Sequence, residues 1–336
     1  MSSNLLNNKL GIWIWQIKNC SSGNWQTICK NCNDAGIDYL LFKSGDSGPY
    51  FNPQTIKDIV KVCQDHNITI GTWNYSVPST IDEQVSQITS LFNSGIQFHS
   101  IDAELEWQQE QNTDKNVSAV AEQFMQKLRS SVGNNFLAHA PFPVISYHYS
   151  FPYTSFGKYV DLVMPQSYWT EIGWDVNKTI QITDSEWSKY YSQHPEAVKP
   201  VAPIGVTYGK GLGAVPGEFH LQDMVTFIQH YQSKNVPVSL YTIDAAFPGV
   251  FDTLKKIKNN EPVVFTPSTT VISVPTAPVV LVPIQPTYIP TTVVTQPQPP
   301  IPPVSIQPVN KINLQTIFST LSDLVIKFIK IIFHIT

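Results

Sequence analysis

The sequence has few charged residues and almost no arginine. Of its 336 residues, 14% are Asp, Glu, Lys or Arg and 42% are hydrophobic, and the formal net charge is −4. Arg129 is the single arginine, which argues against recognition of phosphate through paired guanidinium groups. The mild acidity gives no electrostatic reason to expect a nucleic-acid partner. The hydrophobic content is also too high for a chain that is disordered throughout.

Cysteine is scarce as well, and its pattern is typical of buried thiols. The four cysteines are Cys20, Cys29, Cys32 and Cys63, and the C-x-x-C pair falls within a helical pattern over 25–35. We therefore interpret them as buried thiols on the first two helices. A zinc site that adds Cys20 or Cys63 is one alternative, and a disulfide is another. The sequence contains no H-E-x-x-H pattern or paired His at ligand spacing, so we expect neither a metal nor a cofactor.

We expect neither a signal peptide nor, within 1–260, a membrane-spanning helix. The first apolar run, Leu10–Ile17, is short, contains two tryptophans and precedes no small-residue cleavage site, so we do not expect a signal peptide. No stretch within 1–260 reaches the roughly 20 apolar residues that a membrane-spanning helix needs.

The composition divides the chain into three parts. All 16 glycines and all 8 tryptophans lie in 1–260, which we predict to be the globular domain. The next segment, 261–310, holds half of the 26 prolines and has no charged residue after its first position. Proline removes backbone donors and favours extended structure, so this segment is predicted to be a linker outside the core.

The last part, 311–336, has the periodicity of an amphipathic helix. Apolar residues recur at helical spacing from Leu314 to Ile332, and the helix becomes apolar nearly all round toward its end. Lys327 and Lys330 interrupt it, which argues against a full membrane span. Self-association, a protein partner such as a virion component, a membrane surface, and packing on the chain's own domain are the alternatives. We expect an extracellular, cell-surface or virion-associated protein.

Within 1–260, strand-like and helical patterns alternate. The helical patterns include 52–63, 117–128 and 221–231, whereas the fifth connection, 141–159, is rich in proline and aromatic residues and is the least helical. The predicted strands are 10–17, 37–43, 68–74, 98–103, 135–140, 160–165, 200–206 and 236–243. Eight such units predict an α/β fold, a (β/α)8 TIM barrel. A doubly wound open sheet is the competitor, but no G-x-G-x-x-G follows the first strand.

Active sites of such barrels lie at the carboxyl ends of the strands, and the fourth strand ends in Asp102-Ala103-Glu104. Strand alternation places the Asp102 and Glu104 side chains on the same side. Two close carboxylates repel, so one has a raised pKa and holds a proton at neutral pH. We predict Glu104 as a general acid with Asp102 as its catalytic partner. The structural alternative is that Asp102 caps the following loop and Glu104 pairs with Lys43.

The other strand ends carry side chains that suit a sugar ring. Aromatic faces, amides and carboxylates at one end of a barrel are typical of carbohydrate clefts. Each of these residues, taken alone, is more consistent with shaping or supporting the pocket than with chemistry. The predicted substrate-binding residues are Lys43, Asp46, His139, Gln166, Tyr168 and Asp244, with Trp15, Trp73 and Trp169 as stacking rings.

Six short motifs carry a resemblance to known proteins. They are Gly11–Trp15 (GIWIW), Phe42–Asp46 (FKSGD), Ile101–Glu104 (IDAE), Ser150–Tyr153 (SFPY), Met164–Trp169 (MPQSYW) and Pro203–Gly205 (PIG). In combination they resemble a group of glycoside-hydrolase-like TIM-barrel proteins of bacteria and phages, which often occur beside cell-wall-binding modules. The resemblance covers roughly residues 10–258 and does not extend to the tail.

The D-x-E element is also similar to the fourth-strand element of family 25 lysozymes and family 18 chitinases. The resemblance implies that Glu104 is the acid. The family 18 scheme further implies that Asp102 orients an N-acetyl group of the substrate, which acts as the nucleophile, and Tyr168 is compatible with it.

Two departures from these families leave the nucleophile or base unassigned. Family 25 enzymes have an aspartate at the end of the first strand, where Trp15 and Gln16 stand here. The longer family 18 signature has further aspartates where Gln97 and Ser100 stand. We expect a glycoside hydrolase acting on N-acetylated cell-wall or surface polysaccharide, anchored through its tail. The alternative is a non-catalytic glycan-binding or virion or cell-surface structural protein.

Overall fold

The structure, a computed structural model, describes residues 5–46, 49–111, 116–209, 218–263 and 265. The strands are β1 Leu10–Ile14, β2 Tyr39–Gly45, β3 Thr69–Ser76, β4 Phe98–Ala103, β5 Phe136–His139, β6 Leu162–Val163, β7 Ile204–Val206 and β8 Val238–Tyr241. The helices are α1 Trp25–Asp34, α2 Pro53–Asp65, α3 Ile81–Asn93, α4 Val117–Val132, α5 Tyr153–Gly157, α6 Trp169–Ile172, α7 Val176–Gln193, α8 Leu221–Ser233 and α9 Val250–Lys258. The predicted terminal helix and nearly all of the predicted linker lie outside the described residues.

The eight strands form one parallel sheet in the order β6-β5-β4-β3-β2-β1-β8-β7. Isolated parallel bridges pair Val163 with Val201 and Gln166 with Ile204. The amide of Val163 also donates to the carbonyl of Pro200 at 3.0 Å. These contacts join the two ends of the strand order. The predicted alternation of strands and helices around a parallel eight-stranded sheet is confirmed.

The fifth and sixth units differ most from the sequence expectation. The proline-rich fifth connection forms a 3-10 turn at Ile145–Tyr147 and only five residues of α-helix in α5. Strand β6 has two residues where six were predicted. Since Pro165 follows shortly after it and lacks an amide hydrogen, regular ladder pairing stops there. Helix α7, which was not among the clearest helical patterns, is the longest helix among the described residues at 18 residues.

Side-chain caps fix where several helices begin. Asn24, Asn52, Asn116 and Asp175 each accept a hydrogen bond from a backbone amide in the first turn of α1, α2, α4 and α7, respectively. Such caps satisfy amides that have no partner within the helix. Helix α3 begins after Thr80, whose side chain makes no cap hydrogen bond.

Strand alternation divides the core into two layers. Ile12 and Phe42 face outward and pack against the helices, whereas Trp13 and Leu41 face the barrel interior. Glycine makes room for rings inside the barrel, because a Cβ at Gly11 would lie 2.0 Å from the ring of Tyr39. The same alternation along β4 directs Asp102 to the interior and toward the carboxyl end of the barrel.

The cysteines are free and buried, as the sequence predicted. Cys29 on α1 and Cys63 on α2 bring their sulfur atoms to 3.1 Å. Within the described ranges, no group of three or more His, Cys, Asp or Glu residues could hold a metal ion, so the zinc alternative has no ligand set there. In the same ranges, no helix is both long and apolar enough to cross a membrane.

Candidate functional site

A cavity of about 440 Å³ lies at the carboxyl ends of the strands. Its walls are rich in aromatic rings, and its carboxyl and amide groups come from β4 and from the segments that follow β4 and β6. The lining residues that bear on function are Trp13, Trp15, Trp73, Asp102, Glu104, Phe142, Tyr147, His148, Gln166, Tyr168, Glu171, Tyr208 and Tyr241. A mostly apolar concavity with a few converging polar groups is the usual form of a small-molecule site.

Gln166 connects the two carboxyl groups of the predicted acid pair. Its Nε2 lies 2.8 Å from Asp102 Oδ1, 3.0 Å from Glu104 Oε1 and 2.9 Å from the carbonyl oxygen of Ala140. An amide nitrogen carries only two hydrogens for these three acceptors. A proton held between the two carboxyl groups relieves this shortage, and Asp102 and Glu104 are themselves hydrogen-bonded.

Burial favours the protonated forms of both acids. It raises the pKa of Asp102 well above its usual range, and the neighbouring charge of Glu104 adds to this while Lys43 opposes it. Burial also raises the pKa of Glu104, against the hydrogen bonds from Gln166 and from Asp102, which both favour its ionised form. A raised pKa at the mouth of a cleft is the property that a general acid needs at neutral pH.

Three rings form the floor of the cavity. The centroids of Trp13 and Trp73 are 5.8 Å apart, and Tyr241 lies 6.4 and 6.2 Å from them. The indole N–H of Trp13 donates to Ser239 Oγ, and that of Trp73 donates to the carbonyl of Ile14. Because both N–H groups already have partners, the rings present apolar surface to the cavity. We call Trp13, Trp73 and Tyr241 the aromatic floor.

A third carboxylate reaches the cavity from α6, and the sequence reasoning missed it. Glu171 Oε1 accepts a hydrogen bond from Tyr208 Oη at 2.7 Å, and its charge raises the pKa of Glu104. Burial raises the pKa of Tyr168 and of Tyr208, so both phenols stay protonated as donors. Glu171 lies three residues after Tyr168, and extending the search at strand ends by one helical turn finds it.

Six of the predicted site residues line this cavity together. Asp102, Glu104 and Gln166 form its polar centre. Tyr168 stacks on Tyr241 with ring centroids 5.4 Å apart. The other two are Trp15 and Trp73, of which Trp15 is 38% exposed.

Lys43 and Asp46 lie outside the lining and pair with each other. Lys43 Nζ is 2.7 Å from Asp46 Oδ1 and 5.2 Å from the ring centroid of Trp73. Asp46 also accepts a hydrogen bond from Tyr50. The expected alternative pairing of Lys43 with Glu104 is therefore replaced by Lys43–Asp46. Lys43 acts on the site through its charge, which lowers the pKa of Asp102.

Asp244 and His139 do not line the cavity either, and each contacts neighbouring residues of the fold instead. Asp244 Oδ1 accepts a hydrogen bond from the backbone amide of Trp15 at 2.9 Å, and it bonds to the hydroxyl of Thr242. His139 is 1% exposed and stacks on Phe156 at 4.5 Å. Burial lowers the pKa of His139 to about 3, so the ring is neutral at physiological pH.

The structure places Trp169 in the core, which corrects its prediction as a cavity ring. Trp169 is 1% exposed and packs on Phe227 at 5.2 Å and against Gly205. It follows Tyr168 directly in the chain, and the two neighbouring side chains point in opposite directions. Tyr168 faces the cavity, so Trp169 faces the layer between the sheet and the helices.

No known family profile matches the sequence, and no similar sequence is found among curated proteins. Solved structures do resemble the fold. A glycoside hydrolase family 18 chitinase from Pseudoalteromonas aurantia is 13% identical with a TM-score of 0.53, and the match covers 75% of this chain and 99% of that one. An endo-β-1,4-mannanase from Thermotoga petrophila is 9% identical with a TM-score of 0.54, covering 79% and 80%.

A family 18 N-acetylglucosaminidase from Paenibacillus barengoltzii is 7% identical with a TM-score of 0.52, and the match covers 74% of this chain and 99% of that one. At identities this low, the structural similarity establishes a shared fold and carries no assignment of activity. The architecture is therefore that of an α/β barrel of the kind that these glycoside hydrolases have.

Proposed function

We propose that the protein is a glycosidase that hydrolyses N-acetylated cell-wall or surface polysaccharide. The observation that carries the proposal is the buried pair of Asp102 and Glu104, bridged by Gln166 at the edge of an aromatic cavity. Both acids have a raised pKa, and the cavity lies where barrel enzymes keep their active sites. The fold shared with the chitinase, the mannanase and the N-acetylglucosaminidase is consistent with this chemistry.

In the proposed reaction, Glu104 gives its proton to the glycosidic oxygen as the bond between that oxygen and the anomeric carbon breaks. The leaving sugar departs as a neutral alcohol. With the shared proton on Glu104, the ionised Asp102 stabilises the positive charge that develops on the remaining sugar, either directly or by orienting an N-acetyl oxygen that bonds to the anomeric carbon. Water then attacks that carbon and returns a proton to Glu104.

The aromatic floor supports an N-acetylated substrate. An acetamido group needs apolar surface for its methyl group and hydrogen-bonding partners for its amide. Trp13, Trp73 and Tyr241 offer the surface, while Asp102 and the protonated Tyr168 stand beside it. Asp244, Lys43, Asp46 and His139 then act as supports for the cavity rather than as direct ligands, which revises their predicted binding roles.

A second candidate function is binding of glycan without hydrolysis. Trp15 directly follows strand β1, where the lysozyme pattern has an aspartate, so the acid pair lacks that partner. In this alternative the barrel is a lectin-like module of a cell surface or virion. The predicted segments 261–310 and 311–336 have the same proposed role in both cases, as a spacer and as an anchoring or association helix.

Release of reducing ends distinguishes the two candidates. The full chain is incubated with peptidoglycan and with N-acetylglucosamine oligomers, and new reducing ends are measured beside pelleting or calorimetric binding. The proposal predicts new reducing ends from the wild type and none from Glu104→Gln, which still binds. Binding by the wild type without any release supports the second candidate and contradicts the first.

A further inference from the structure

We infer that the cavity binds a polysaccharide chain across the whole barrel mouth, with one aromatic platform at each end, and that cleavage is therefore internal to the chain. The inference rests on the proposed function and deepens it. The two platforms are Trp15, which follows β1, and Tyr147, which follows β5. Both line the same cavity as Asp102 and Glu104.

The two platforms follow strands on opposite sides of the barrel. Strands β1 and β5 are four positions apart in a ring of eight, whichever way the ring is followed. Diametrically opposed strand ends are the widest separation that the barrel mouth offers. Asp102 and Glu104 line the same cavity as both platforms. We therefore expect a chain that touches both platforms to pass over the acid pair, with sugars on each side of the scissile bond.

Both platforms carry exposed aromatic surface. Trp15 is 38% exposed, and Tyr147 is 68% exposed. Tyr147 also meets the ring of Trp174 edge-on, with centroids 6.5 Å apart. Large rings that remain accessible beside a cavity are candidates for ligand contact, and the flat face of a ring suits the apolar face of a sugar.

Each platform is also held by a carboxylate that bonds to its backbone. Asp244 Oδ1 accepts from the amide of Trp15 at 2.9 Å. On the opposite side, Glu186 accepts from the amide of Ser146 at 2.8 Å and from its hydroxyl at 2.9 Å, which fixes the turn that carries Tyr147. Ordering these segments before binding lowers the entropy cost of holding a ligand.

Binding to the full-length Glu104→Gln variant tests the platforms without turnover. Calorimetry with the N-acetylglucosamine dimer, tetramer and hexamer is expected to show affinity that rises with length. In that background, Trp15→Ala and Tyr147→Ala are each expected to weaken hexamer binding about tenfold, because each removes one aromatic contact. Tyr147→Phe keeps the ring and is expected to retain the affinity.

Tyr149→Ala is the matched control. Tyr149 lies two residues from Tyr147 and is 81% exposed, but it does not line the cavity. Its loss is expected to leave hexamer binding unchanged. Because Trp15 and Tyr147 are both substantially exposed, their truncation removes little buried surface, and melting curves check that the variants remain folded.

Product analysis with the otherwise wild-type chain gives the second readout. The hexamer, labelled at its reducing end, is expected to yield shorter oligomers first and monomer only late. Early release of monomer from a chain end overturns the inference. Hexamer affinity that is unchanged by Trp15→Ala or by Tyr147→Ala also overturns it. Those results leave the proposed function standing if turnover occurs. Absence of both binding and turnover on every oligomer overturns the proposed function and the inference with it.

Discussion

Gln166 is predicted to stabilise the ionised forms of the acid pair, and Gln166→Leu tests this. The substitution keeps the volume nearly constant and removes one amide nitrogen that contacts Asp102, Glu104 and the carbonyl of Ala140. Leaving a buried acceptor without a partner costs about 1–3 kcal/mol, with the larger values for charged acceptors. We expect the free energy of unfolding to fall by about 2 kcal/mol at neutral pH.

The free energy of unfolding that Gln166→Leu loses should increase as the pH rises. The Gln166 hydrogen bonds lower the pKa of Asp102 and of Glu104, so their removal raises both. The folded variant then binds protons more tightly than the folded wild type, and its deficit grows as the pH rises. Urea unfolding at pH 5 and pH 8 is therefore expected to show the larger difference between variant and wild type at pH 8.

Gln87→Leu is the matched control for this experiment. Gln87 is also buried, but its Nε2 donates to one neutral acceptor, the carbonyl of Ser44, at 3.2 Å. Its loss should cost about 1 kcal/mol, with the same value at both pH values. If the Gln166→Leu deficit is equally independent of pH, or smaller at pH 8, the assigned coupling between Gln166 and the acids is wrong.

Three further predictions follow from the same geometry. Burial raises the pKa of Asp102, so the stability that this group contributes is greatest in acid and is lost as the pH rises. Asp102→Asn should therefore make the melting temperature less sensitive to pH between 4 and 8. A melting temperature that falls more steeply with pH in the variant than in the wild type contradicts this. Gly205→Ala places a Cβ 2.8 Å from Phe227 and 3.0 Å from Trp169, so unfolding should become easier by about 1–3 kcal/mol in a denaturant titration. His139→Phe should leave turnover within about twofold of the wild type, since His139 lies outside the cavity wall. A loss of activity near that of Glu104→Gln would contradict this and make His139 part of the active site.

Much of the fold is predictable from the sequence, because its signals are local and repeated. Eight β-branched or aromatic segments, separated by helical patterns, recover all eight strands. The helical patterns over 25–35 and 52–63 also begin within one residue of α1 and α2. The short β6 and the nearly helix-free fifth connection are where prolines override the pattern. Boundaries there depend on which backbone groups find a partner across the sheet.

The site could be predicted where the alternation of side chains along a strand decides which way a side chain points. Asp102 lies on β4 and Glu104 directly follows that strand two residues later, and the structure places both at the cavity. Trp169 follows Tyr168 directly and so points away from the cavity, whereas Glu171 reaches the cavity because the chain is helical there and strand alternation no longer applies. The partners of Lys43 and Asp244 depend on spatial neighbours that pattern reasoning does not reach.

The dependence of Glu104→Gln activity on the leaving group tests the central claim most directly. Kcat/KM is measured for wild type and variant on two N-acetylglucosaminide oligomers, one a dinitrophenyl glycoside and one a glycoside whose leaving group is an unactivated alcohol. Only the unactivated alcohol needs a proton to depart, so the variant should lose about 100- to 10,000-fold on that substrate and far less on the dinitrophenyl substrate. An equal loss on both substrates, or full activity on both, contradicts the assignment of Glu104 as the acid of a glycosidase.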